Sequence, residues 1–209
     1  MGVPINYSDN VFVNCPFDTP YKGMFEAMIF TIHDCGFIAR CAREENDSGN
    51  VRILKINKII DECKYGIHDI SKADLDATSG LARFNMPLEL GIFMGAKNYA
   101  PLKHYNRDKR ILIMDTHQYR YQHFISDLAG QDIIAHNMLV PDLITQIRDF
   151  LFSYAKRTSI PGGPYINNRF DTFINDLPSI CTALHWDRNN LPFQGYLACV
   201  ISWINDNPI

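Results

Sequence analysis

"VFVNCPFDTPYKGMFEAMIFTIHDCG", residues 11–36, decides the fold class of this chain. Its first six residues form a short apolar run that breaks at Pro16 and Asp18, as a buried strand does when it ends in a loop. From about Tyr21 to Cys35 the spacing changes. Phe25, Met28, Ile29 and Ile32 fall on one face of a helix, and Gly36 stands where a helix takes its glycine cap. Strand, loop, helix, glycine is the opening of an α/β unit.

The cadence repeats outward from there. "FIARCA" (37–42) reads as a second strand, and "VRILKINKIIDEC" (51–63) places Ile53, Ile56, Ile59 and Ile60 at helical spacing. "YGIHDIS" (65–71) reads as a third strand, residues 87–97 as a third helix, "RILIMD" (110–115) as a fourth strand and "DIIAH" (132–136) as a weaker fifth. Residues 141–156, opening "PDLITQIRDFLFSYA", read as a long amphipathic helix. Strands alternating with helices over short links predict a parallel sheet covered on both faces. After the turn "SIPGGPY" (159–165) no strand is evident, and two helices are expected over 166–186 and 194–205. The chain therefore divides into a sheet domain, residues 1–158, and a C-terminal helical extension, residues 159–209, packed on that domain or on a partner.

Bulk properties narrow the function. With 209 residues, 46% of them hydrophobic, the chain suits one domain with a small appendage and an ample core. The net charge is -3, so it lacks the basic field of a nucleic-acid binder, although a few arginines suffice for a small phosphate. The six cysteines are scattered without close pairing and read as reduced core residues. No run approaches the roughly 18 apolar residues of a membrane span and no signal pattern opens the chain, so a cytoplasmic protein is expected.

Ligands of open parallel sheets bind at the carboxyl ends of the strands. Those ends carry Asn14, Cys15, Phe17 and Asp18; Arg40, Arg43, Glu44 and Glu45; His68, Asp69 and Ser71; Arg83, Asn85 and Glu89; and Asp115 and His117. Each has a plain reading beside the functional one. Asp18 and Asp69 are types that cap turns, the Arg40–Glu45 run suits a solvated charge cluster, His68 a sheet histidine and Cys15 a small core residue. Glu89, read as lying in the first turn of its helix behind Pro87, suits the positive end of a helix dipole. Its place between "HDIS" and an apolar helix, where burial perturbs a carboxylate, favours a site instead. No glycine-rich phosphate loop, HExxH or GxSxG is present, which leaves a catalyst built from a carboxylate and a few hydrogen-bonding groups, without metal or cofactor.

The "CPF" loop, the third strand ending at Asp69 and "PLELGIFMGA" (87–96) together resemble the nucleoside 2-deoxyribosyltransferase superfamily, and in layout the Toll/interleukin-1 receptor-like domains of bacterial immunity. The resemblance covers residues 11 to about 136. It implies a flavodoxin-like sheet and cleavage or transfer at the N-glycosidic bond of a nucleotide such as NAD, which would be substrate rather than cofactor. Glu89 would be the catalytic carboxylate. Asp69, with Ser71 and Asn85, would bind sugar hydroxyls or orient the base; Arg83, Arg40 or Arg43 would hold a phosphate; Asn14, Cys15, Phe17 and Asp18 would line the floor. It further implies a homodimer or higher homo-oligomer, a role in antiphage defence and a possible partner protein there. The competing expectation is a non-catalytic nucleotide-sensing or assembly module of the same fold.

Overall fold

A computed structural model describes residues 2–45, 47–73, 75 and 80–209. Five strands, β1 (Asn10–Asn14), β2 (Ile38–Cys41), β3 (Tyr65–Asp69), β4 (Arg110–Asp115) and β5 (Ile134–Ala135), form one all-parallel sheet in the order β2-β1-β3-β4-β5. Among the described residues, six α-helices accompany them: α1 (Lys22–Asp34), α2 (Arg52–Asp61), α3 (Asn85–Asn98), α4 (Val140–Ala155), α5 (Gly163–Ala183) and α6 (Phe193–Asp206). This is a flavodoxin-like α/β fold with a C-terminal helical extension. Its strand order reverses at β1 and β3, which opens a crevice beyond their carboxyl ends.

The two-residue period of a strand sorts the sheet into faces. Val11 and Val13 of β1, with Tyr65 and Ile67 of β3, belong to the large core shared with α1, α4, α5 and α6. Phe12 belongs instead to the core under α2 and α3, stacked 6.2 Å from Phe93. Asn14 and His68 are register partners that follow the Phe12 parity, so they face α3. Gly66, on that same face, has no room for a side chain. A Cβ there would lie 2.7 Å from His68 Nε2 and 2.8 Å from Phe93 Cζ.

Helix α1 ends as its sequence requires. Gly36 adopts φ +79°, its N–H meets the His33 carbonyl at 2.9 Å, and the Phe37 N–H reaches Ile32 at 3.0 Å, the paired bonds of a glycine-terminated helix. Helix α3 begins at Asn85, two residues earlier than expected, because Pro87 occupies its third position, where an N–H has no intrahelical partner in any case. β5 is shorter than its sequence run and holds only Ile134 and Ala135. No helix among the described residues is long and apolar enough to cross a membrane.

The extension packs on α1. Phe173 of α5 stacks 5.2 Å from Phe30 and meets Trp203 and Tyr196 of α6 at 5.7 and 5.9 Å. Arg169 of α5 makes a paired contact with the buried Asp34 carboxylate, and Arg188 does the same with Glu26. A core shared in this way predicts a single cooperative transition. Phe173→Ala should lower stability by about 3–5 kcal/mol and leave that transition single in chemical denaturation; a separate early melting of α5 and α6 would contradict the shared core.

Candidate functional site

Asn14, at the end of β1, assembles the crevice. Its side-chain amide donates 2.8 Å to the Met86 carbonyl on α3 and lies 3.0 Å from His68 Nδ1 on β3. His68 is fully buried, and burial, with Lys109 adding to it, lowers its pKa to about 3. The ring is therefore neutral, and with Nδ1 taking the Asn14 amide its proton stays on Nε2, against the Phe93 edge. His68 is a support for the site.

Glu89 is one turn beyond Met86. Met86, Glu89, Leu90 and Phe93 are the buried positions of α3, spaced i, i+3, i+4 and i+7, so the carboxylate occupies a place in the helix's inward stripe. It is the fifth residue of the helix, outside the first turn, where the helix dipole is strongest. Only 7% of its surface is exposed, and no hydrogen bond to its carboxylate comes from the described residues. Burial raises its pKa from 4.5 to about 7, against a smaller opposing pull from Arg52.

Glu89 opens on a cleft of about 90 Å³, lined also by Asn14, Cys15, Phe17, Asp18, Arg83 and Asn85 of the residues expected from sequence. Arg52 and Lys72 complete it. Neither was among the expected residues, although Lys72 directly follows "HDIS" and so lies where strand ends place ligand groups. Lys72 pairs with Asp18 at 2.8 Å, which leaves Arg52 and Arg83 as cations facing the cleft. Cys15 lies among these charges but is inert as a nucleophile: burial, then Asp69 and Glu89, push its thiol pKa well up.

Four expected residues, Arg40, Asp69, Ser71 and Arg43, are not part of the cleft's lining. Arg40 is committed to Glu44 at 2.7 Å and Glu62 at 3.0 Å, away from the cleft. Asp69 has the parity of Ile67, faces α1, and is fully buried. Its carboxylate accepts from the Tyr21 hydroxyl and, at 2.8 Å, from the Ser71 N–H. His136 Nε2 lies 2.8 Å from Asp69 Oδ2 but off the line of its N–H, so that contact is close without being aligned. Ser71 holds the Arg120 guanidinium through its carbonyl at 2.5 Å. Asp69 and Ser71 therefore brace the strand ends beneath the cleft, and Tyr21 and His136 are partners that no local pattern announced. Arg43 lines a neighbouring hollow instead, its guanidinium carbon 5.5 Å from the centre of the Phe17 ring.

A raised carboxylate pKa has a stability cost of fixed sign. Between pH 4.5 and about 7 the native state keeps a proton that the unfolded chain has lost, so stability falls as pH rises across that window, by up to about 3 kcal/mol. Glu89→Gln should therefore melt higher than the parent at pH 8 and close to it at pH 4, in paired thermal scans. Equal melting at both pH values would contradict a buried Glu89 carboxylate. No family model, curated protein or solved structure matches the chain.

Proposed function

We propose that the protein cleaves, or transfers at, the N-glycosidic bond of a nucleotide, with Glu89 as the catalytic carboxylate. The observation that carries this reading is a carboxylate buried in a helix's apolar stripe, without a hydrogen-bond partner among the described residues, opening on a cleft with two arginines. Such a group is costly to the fold, and it suits a reaction that develops positive charge beside it.

When the bond from C1′ to the base nitrogen breaks, the electron pair leaves with the base and C1′ gains oxocarbenium character. The Glu89 carboxylate either holds that charge or bonds to C1′, and water or an acceptor hydroxyl then supplies the new oxygen. A pyridinium base, as in NAD, departs neutral and needs no proton. A purine needs one, and a carboxyl group whose pKa is about 7 is well placed to share it. Asn14 holds Glu89's helix against β1, and Asp69 fixes the floor through Tyr21, so both are positioning residues. The motif resemblance adds the setting of this reading: a cytoplasmic, oligomeric effector or signal generator in antiphage defence.

The second reading is a nucleotide-sensing or assembly module of the same fold; the cleft's small volume, below the roughly 300 Å³ of common ligand pockets, favours its assembly form. Chromatography of released base separates the two. Wild type and Glu89→Gln are incubated with NAD, NADP, ATP, AMP and deoxynucleosides. The glycosidase reading expects base from the wild type and a loss of about 100- to 10,000-fold in the variant. It also expects kcat/KM for NAD to rise about tenfold per pH unit and level off above about 7, because the ionised carboxylate is the active form. Equal release by both proteins would remove Glu89 from the chemistry.

A further inference from the structure

We propose that a second hollow beside the cleft receives the phosphate-bearing end of the same ligand, so that the substrate is a phosphorylated nucleotide and the α5–α6 loop is part of its site. The inference rests on the glycosidase reading for the chemistry, but the hollow stands on its own geometry. It has a volume of about 310 Å³ and shares Phe17 and Asp18 with the Glu89 cleft, so the two adjoin across those residues. The cleft alone, at about 90 Å³, is too small for a whole nucleotide, so most of such a ligand would lie outside it.

The charges of the hollow are unbalanced toward the positive. Its two carboxylates are already matched: Asp18 by Lys72 at 2.8 Å, and Glu26 by both guanidinium nitrogens of Arg188 at 2.9 and 2.7 Å. Asp187, near Lys22, spends its oxygens on the Asn189 N–H and the Asn190 side chain within its own turn. Arg43 remains. Its guanidinium has no hydrogen bond or ion pair among the described residues and is held only over the rings of Phe17 and Phe25, at 5.5 and 6.0 Å. Lys22 makes only a 3.5 Å contact with the Asn189 carbonyl.

A guanidinium that contacts only aromatic rings keeps its N–H groups free of protein acceptors, and its fork of donors matches two phosphate oxygens. Lys22, half-exposed on the same hollow, supplies a second charge. Asn189 and Asn190, which also line the hollow, precede α6, so the extension contributes a wall that the sheet domain alone lacks. Arg40, bound to Glu44 and Glu62, is excluded from this role. The phosphate ligand is thereby assigned to Arg43 with Lys22.

Inorganic pyrophosphate, which carries neither base nor sugar, tests the hollow directly by titration calorimetry. Arg43 is exposed and Lys22 half-exposed, so the double variant Arg43→Gln/Lys22→Gln should fold, as circular dichroism can verify. The expected result is equal pyrophosphate binding by wild type and Glu89→Gln, at least tenfold weaker binding by the double variant, and a similar loss in its kcat/KM for nucleotides. No binding by wild type, or undiminished binding by the double variant, would overturn the assignment. So would a double variant that loses pyrophosphate yet cleaves nucleotides at the parent rate. Pyrophosphate binding by a protein that releases no base from any substrate would keep the anion site and remove the glycosidase reading.

Discussion

The side-chain amide of Asn14 is the interaction on which the crevice depends. It joins three elements far apart in sequence, β1, β3 through His68 and α3 through the Met86 carbonyl, at the point where the strand order reverses. A buried amide with both donor directions used is stable, whereas without it the buried His68 ring nitrogen would be unsatisfied, at about 1–3 kcal/mol. The bond therefore fixes where α3 starts over the sheet. Glu89, three residues past Met86, inherits its position from it.

That position explains why a carboxylate is found in an apolar stripe. A leucine there would pack with Leu90 and Phe93 and free the fold of a desolvated acid. Keeping the acid makes sense when its poor solvation is useful, because a carboxylate short of partners binds a developing cation more strongly than one already hydrogen-bonded. Asp69, on the opposite face of the sheet, shows the contrast. Fully buried as well, it accepts from Tyr21 and Ser71 and so serves structure, although it sits at the end of the neighbouring strand.

Most of the architecture was legible in the chain, and the reasons are local. Period-two and helical spacing, with Gly36 as a cap, are properties of a few adjacent residues, and the elements they announced formed. The start of α3 was less legible because Asn85 and Met86 carry no helix signal and Pro87 suits more than one early position. Within the site, strand parity separates the candidates: Asn14 and His68 share one face with α3, while Asp69 points to the other. What the chain could not announce was pairing over long separations. Arg40 with Glu62, Asp69 with Tyr21 and His136, and Glu26 with Arg188 depend on the fold being complete.

The extension joins these threads, since the helices that complete the core against Phe30 also bring the Asn189–Asn190 turn beside Phe17 and Arg43. Stability and the proposed anion site therefore draw on the same segment. The candidate site turns on one carboxyl group, and its titration is the most direct measurement. In protein labelled with ¹³C-glutamate, the Glu89 carboxyl resonance, assigned by its absence from Glu89→Gln, should titrate with a midpoint near 7. A midpoint below about 5, in the range of ordinary glutamates, would contradict the buried, partner-poor carboxylate on which the site is built.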